Sequence, residues 1–288
     1  GDTQMAKVYY VNGDFVPADE AHVPVTDLAV LRGYGVFDFF RTYGGKPIQL
    51  ERNINRLRNS ANMIELDVPW SNAEIAEIVL ETLNRNGFEE ANIRIIVTGG
   101  DSPDFITPQE KPRLLVYVEP LKPLPEWWYT SGVKVITVKE ERQIPRAKSL
   151  NYISAIIAQK RARKAGAVEA LYVDRDDNIR EGTTTNLFAF YGENTVITPQ
   201  MDILPGVTRG RVIELLSRRY EVLERPLSYD VALTADELVI TAANKQVVPV
   251  VQLDGHVFGG GQVGHRSKRL MDEFQAYVMA QTQAQVQS

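Results

Sequence analysis

The chain has 288 residues, 44% hydrophobic and 24% charged, with a formal net charge of -5 at pH 7, which is enough apolar material for a full core and for two domains. The mild acid excess gives no electrostatic reason to expect nucleic acid or an anionic membrane as partner, and no apolar stretch approaches the roughly 20 residues of a membrane span. Cysteine is absent and the three histidines, His22, His256 and His265, are scattered, so disulfides and thiolate catalysis are excluded, no metal centre is expected, and a cytoplasmic location is expected.

Residues 1–4 ahead of Met5 read as a cloning remnant, with no signal peptide after them. Residues 6–17 and 34–50 alternate apolar and polar positions around Asn12-Gly13 and Gly44-Gly45, which predicts two antiparallel hairpins. Ile54, Leu57, Ala61 and Ile64 recur at helical spacing, and Ser71-Asn72-Ala73-Glu74 forms a capping box ahead of Ile75, Ile78, Val79 and Leu83. Strands over 93–98 and 114–118 complete a first domain, residues 5–119. Pro120, Pro123 and Pro125 then mark an extended linker, residues 120–126. In a second domain, residues 127–288, strands at 132–139, 168–174, 187–197 and 237–251 are interleaved with helices at about 149–165, 206–219 and 264–282. Leu150, Ile153 and Ile157 supply the apolar pattern of the first of these helices, and the Gln/Ala-rich tail is expected to fray.

Three segments carry chemistry. Lys148, in Ala147-Lys148-Ser149-Leu150-Asn151-Tyr152, lies between a strand and the start of a helical pattern. A lysine there can form a Schiff base with an aldehyde if its amine is desolvated or near another positive charge. Glu181, in Arg180-Glu181-Gly182-Thr183-Thr184-Thr185-Asn186, follows a short apolar strand and a turn. A carboxylate beside a pyridine nitrogen keeps it protonated, and the protonated ring accepts electrons from a substrate carbanion. Leu204-Pro205-Gly206-Val207-Thr208 precedes an amphipathic run, so the amides at Val207 and Thr208, with the threonine hydroxyl, suit a phosphate at a helix start. Amine, carboxylate and phosphate cup together match pyridoxal 5'-phosphate.

With these motifs, Tyr10-Val11-Asn12-Gly13, Arg32-Gly33-Tyr34-Gly35-Val36-Phe37-Asp38, Asn55-Arg56-Leu57, Val248-Pro249-Val250 and Leu253-Asp254-Gly255 make the chain resemble, over nearly its whole length, the fold type IV family of pyridoxal phosphate enzymes. That family holds branched-chain aminotransferases, D-amino acid aminotransferases and aminodeoxychorismate lyases. The resemblance implies a mixed α+β fold with a small α/β N-terminal domain and a larger C-terminal domain with a barrel-like sheet. It implies a homodimer whose active site is completed by the neighbouring subunit, with amino acids and 2-oxo acids as substrates. It puts Arg56 on the cofactor phosphate, Leu204 against the ring and Tyr152 near the phenolic oxygen. Ala242-Ala243-Asn244 stands where relatives often carry a Gly-Thr or Ser-Thr pair, so a phosphate contact at Ala243 would come from backbone amides.

The implied reaction is ping-pong transamination in which Lys148, displaced by the incoming amino acid, moves the alpha proton. Lys148-Ser149-Leu150-Asn151 and the segment 248–255 look more like D-amino acid aminotransferases than branched-chain ones, with D-glutamate and 2-oxoglutarate as the expected pair. The arginine and histidine that clamp the substrate carboxylate in the best-known D-specific members are missing, and Asp104 and Ile106 fall near those positions. Arg32, reaching over from a neighbouring subunit, Arg94 and Arg180 are the candidate replacements. An L-branched-chain aminotransferase is the alternative, an aminodeoxychorismate-type lyase a further one, and a binding protein without turnover the last.

Overall fold

The computed structural model describes residues 7–286, so the reading of residues 1–4 lies outside the described residues. Two units are distinguished, one within Gly1–Lys122 plus Ala147–Asn151, the other within Pro123–Arg146 plus Tyr152–Ser288.

The first unit is built on an antiparallel sheet. Strands β1 (Val8–Val11) and β2 (Asp14–Pro17) form the hairpin expected around Asn12-Gly13, both of which have positive φ. Helix α1 (Leu28–Arg32) is N-capped by Asp27 and stopped by Gly33 in the left-handed region. Strand β3 (Gly35–Arg41) leads to helices α2 (Leu50–Met63) and α3 (Asn72–Asn86), and the Ser71–Glu74 capping box forms as read. Strands β4 (Ala91–Thr98) and β5 (Arg113–Pro120) complete the order β2-β1-β5-β4-β3.

The second expected hairpin does not form. Past Gly44-Gly45 the chain closes only a Tyr43–Lys46 bridge and enters α2, and β3 takes β4 as its partner. Pro47 lacks the amide that a returning strand would donate at that point.

Period-two alternation sorts this sheet into two faces. Val36, Phe40, Ile93, Ile95, Val97, Val116 and Val118 are buried, as are Ile54, Leu57 and Ala61 of α2 and Ile75 and Val79 of α3. The alternate residues, Phe37 and Phe39, Arg94 and Ile96, Leu115 and Tyr117, line the opposite face strand by strand.

The second unit contains α4 (Trp127–Thr130), β6 (Val133–Lys139), α5 (Ile153–Lys164), β7 (Glu169–Val173), β8 (Asn178–Gly182), β9 (Asn186–Tyr191), β10 (Thr195–Thr198), α6 (Val207–Leu216), β11 (Glu221–Glu224), β12 (Leu227–Ser228), α7 (Tyr229–Leu233), β13 (Glu237–Ala242), β14 (Gln246–Leu253), β15 (His256–Val257) and α8 (His265–Val286). Its ten strands form one curled, half-barrel sheet in the order β11-β10-β9-β13-β14-β6-β7-β8-β12, with β15 on β14. Leu171, Leu187, Leu238, Ile240 and Val248 are at the centre of its core.

The structure corrects several expectations. The stretch 187–197 is two strands turning at Gly192, and 237–251 is the antiparallel pair β13–β14. Helix α5 starts at Ile153 rather than near 149, and its Ile153 and Ile157 are 69% and 47% exposed while Ala155, Ala158 and Ala162 are buried. The helix packs its alanines, whose small size permits close approach, against Val138, Ala170 and Tyr172. The tail remains helical through Val286. Among the described residues no helix is long and apolar enough to cross a membrane.

Candidate active site

Lys148 sits in an extended segment, not at a helix start. Phe37 N donates to Lys148 O over 2.9 Å, Leu150 N donates to Gly35 O over 3.0 Å, and Val36 pairs with Ser149. The segment therefore adds a short antiparallel strand to the free edge of β3. Its register sets Lys148 directly opposite Phe37, so the two side chains share a face. The half-buried ammonium lies 4.5 Å from the Phe37 ring centroid. From α2, Ser60 Oγ accepts from Lys148 N over 3.0 Å. Gly35 makes this close approach possible: a Cβ there would lie 2.6 Å from Leu150 Cδ1 and 2.7 Å from Val97 O.

Arg94 occupies the same face. Its guanidinium carbon is 5.0 Å from the Phe37 centroid, 5.0 Å from Phe39 and 5.9 Å from Tyr117. Among the described residues no carboxylate lies within ion-pair distance of it. Two cations thus face one ring, Lys148 at 4.5 Å and Arg94 at 5.0 Å from its centroid.

Arg56 points to the helix-packed side. Its Nε and Nη2 donate to the two oxygens of buried Asp38 over 2.7 and 2.8 Å, and Asn53 Nδ2 donates to the same carboxylate over 2.9 Å. Arg32 is exposed at the end of α1 and donates to its own neighbour, Leu31 O, over 3.0 Å. Asp104 accepts from Ile106 N, Thr107 N and Ser102 Oγ, so it caps its own loop.

In the second unit Glu181 is 4% exposed. Arg142 Nη1 donates to its Oε1 over 2.8 Å and Leu204 N to its Oε2 over 2.9 Å. Arg142 is not among the residues that the sequence singles out; its only signal is a position six residues before Lys148. The three threonines after Glu181 bind Glu169 instead, a fully buried carboxylate that accepts from Thr183 Oγ1, Thr184 Oγ1, Thr185 Oγ1 and Gln159 Nε2. Lys245, also unmarked in the sequence, donates to Thr184 Oγ1 over 2.9 Å, and burial lowers its pKa against the opposing pull of Glu169.

Arg180 is ion-paired with Asp174, with Asp202 3.7 Å away and Met201 O accepting over 3.3 Å. Its charge is already matched.

Helix α6 begins at Val207 and Thr208 with no side chain capping it at Gly206, so its first amides point outward. A Cβ on Gly206 would collide with Asn186 Oδ1, while Asn186 Nδ2 holds Leu204 O over 3.0 Å. Leu204 thus connects the Glu181 carboxylate and the helix start through its N–H and its carbonyl. Tyr152 immediately precedes α5, and Ala243 lies in the β13–β14 turn. A buried, oriented carboxylate beside an uncapped helix start that tolerates no Cβ fits a phosphorylated pyridine, and a half-buried lysine fits its aldehyde.

Comparison with known proteins agrees. Residues 35–253 match the family model described as amino-transferase class IV. The chain is 37% identical to a putative branched-chain-amino-acid aminotransferase of Methanocaldococcus jannaschii, covering 92% of this chain and 94% of the relative. It is 29% identical to a D-alanine aminotransferase of Staphylococcus haemolyticus, covering 95% and 98%. Among solved structures, the branched-chain amino acid aminotransferase of Escherichia coli superposes with a TM-score of 0.88 at 27% identity over 94% of both chains. The branched-chain amino acid aminotransferase of Thermoproteus uzoniensis with norvaline gives a TM-score of 0.86 at 25% identity over 96% of both chains.

Proposed function

Because the chain belongs to the class IV aminotransferases and so works with pyridoxal phosphate, we propose that it moves an amino group between a D-amino acid and a 2-oxo acid, with glutamate and 2-oxoglutarate as one pair. The cofactor supplies an aldehyde for the amino group and a protonated ring that takes up electron density. Lys148 would hold that aldehyde at rest, and its freed amine would move the substrate's alpha proton, first as base and then as acid. Glu181 keeps the ring nitrogen protonated. With the cofactor bound, the amides of Val207, Thr208 and Ala243 would hold the phosphate together with Arg56, while Leu204 would pack on the ring and Tyr152 would offer its hydroxyl to the phenolic oxygen.

One observation supports the substrate side of this reading: Arg94 is a half-buried cation with no acid partner among the described residues, and it faces the same ring as Lys148. A substrate carboxylate answers that charge. Arg32, supplied by the neighbouring subunit of a homodimer, takes the second carboxylate of glutamate. Arg180 contributes less, since Asp174 already neutralises it.

The 37% identity to the M. jannaschii relative favours a second reading, an L-branched-chain aminotransferase. Adding single amino acids to the yellow holoenzyme and recording loss of aldehyde absorbance separates the two. D-Glutamate and D-alanine bleach the enzyme under the first reading. Bleaching by L-leucine and L-valine alone replaces it with the second.

A further inference from the structure

Helix α1 ends in Arg32, yet its five residues bury only Leu28, so little packing of its own fixes where that guanidinium stands. Its place is set at its start. Asp27, fully buried, caps the helix by accepting from Ala29 N over 2.8 Å, and Leu28 N donates to Gly100 O over 2.9 Å. The other Asp27 oxygen accepts from Thr98 Oγ1 over 2.7 Å and from Arg113 Nη1 over 2.8 Å. Thr98 and Arg113 are directly opposite each other where β4 ends and β5 begins, so both reach the carboxylate from one rung of the sheet. Arg113 Nη2 then donates to Asp101 Oδ2 over 2.6 Å, and Thr26 Oγ1 donates to Asp101 Oδ1 over 2.7 Å. Arg113 first and Thr26 second hold the Asp101 carboxyl below the usual range. Asp101 is the base of the loop that carries Asp104 and Ile106, closed where Gln109 N donates to Asp101 O over 3.2 Å. One guanidinium thus joins the cap of α1 to the base of that loop.

We propose that Arg113 is a positioning residue for the oxo acid: by clamping Asp27 and Asp101 it fixes α1, and so sets where Arg32 meets the second carboxylate. The proposal rests on the reading above, in which Arg32 serves the neighbouring subunit, and adds the residue that holds it in place. Without Arg113 the buried Asp27 carboxylate has no counter-charge, so the start of α1 takes up water and Arg32 samples several positions. A substrate with a second carboxylate must then order the helix itself, and that ordering is subtracted from its affinity. A monocarboxylate such as pyruvate never calls on Arg32 and is indifferent to the change. Lysine at position 113 keeps the charge but cannot span two carboxylates as the planar fork does.

The test mixes enzyme loaded with pyridoxamine 5'-phosphate with 2-oxoglutarate or pyruvate and follows the return of aldehyde absorbance against oxo acid concentration, which gives a dissociation constant and a limiting rate. Arg113→Met weakens 2-oxoglutarate at least fivefold and leaves pyruvate binding and both limiting rates within twofold of the wild type. Arg113→Lys weakens 2-oxoglutarate at least twofold, and this decides the matter if the methionine variant does not fold. In the Arg32→Ala background the same substitutions at 113 have no further effect, because the two arginines act as one unit. Unchanged 2-oxoglutarate binding in the folded variants, equal weakening of both oxo acids, or an effect that persists in full in the Arg32→Ala background overturns the positioning role and leaves the reading of Arg32 standing. Unchanged 2-oxoglutarate binding in Arg32→Ala itself overturns that reading, and the proposal with it. A wild type that regains aldehyde absorbance with neither oxo acid overturns the transaminase reading.

Discussion

Arg142 Nη1 and Leu204 N divide the Glu181 carboxylate between them, one oxygen each, over 2.8 and 2.9 Å. Arg142 is itself fixed by donating to Pro145 O over 2.7 Å, so the carboxylate is held in charge and in direction. Removing the arginine leaves a nearly buried anion without its counter-charge, which costs about 3 kcal/mol. Arg142→Met is expected to lower the thermal midpoint of the apoenzyme and to let the holoenzyme spectrum shift with pH at a higher value than in the wild type. Arg142→Lys restores part of both effects; a spectrum that titrates identically in all three proteins rejects the role.

Asp38 and Arg56 form a fork on the helix-packed side of β3, with the carboxylate fully buried and the guanidinium 10% exposed. Asp38→Asn keeps the volume and one acceptor but removes the counter-charge, at a cost of about 3 kcal/mol. Arg56→Lys keeps the charge but cannot make two parallel bonds. Both variants are expected to bind pyridoxal phosphate at least tenfold more weakly when apoenzyme is titrated by fluorescence quenching. Unchanged affinity in Arg56→Lys removes Arg56 from the phosphate.

The helix start after Leu204-Pro205-Gly206 is legible in the sequence because it is a local motif written in adjacent residues. The capping box at Ser71 and the turn at Asn12-Gly13 are legible for the same reason. What escapes depends on partners distant along the chain. Lys148 looks like a helix opener because Ile153 and Ile157 repeat at helical spacing, yet the segment pairs with β3, more than a hundred residues earlier. The isoleucines of α5 look like its core face, and the alanines are. Arg142 has no motif of its own; only its approach to Glu181 reveals it. Arg94 and Tyr117 come into one cluster only through the β4–β5 register.

Gly206 is required by space rather than by backbone angle, since its φ of -61° is open to any residue. A Cβ would drive into Asn186 Oδ1, displacing the side chain that holds Leu204 O. Gly206→Ala is expected to cost about 1–3 kcal/mol by overpacking and to weaken cofactor binding beyond that, because the Leu204 backbone also carries the bond to Glu181. Equilibrium dialysis of the cofactor beside a urea melt separates the two. Loss of stability with full retention of cofactor affinity rejects a link between Gly206 and the phosphate cup.

Asp174 gives a pH signature. Burial alone would raise its carboxyl, but the N–H groups of Asn178 and Asp176, the Asn178 amide and the charge of Arg180 outweigh it and hold the pKa below the usual range. The unfolded chain, with an aspartate pKa of about 3.9, therefore binds the proton more readily than the folded one. The resulting stability is complete above that unfolded value and is lost as pH falls through it toward the lower folded value. Asp174→Asn removes this contribution along with hydrogen bonds to a charged acceptor, each worth about 1.5–3 kcal/mol. Urea melts at pH 7 should show the variant clearly less stable, and at pH 3 the difference should narrow because the wild type has begun to lose the same contribution. A difference of equal size at both pH values would mean that Asp174 acts by packing alone.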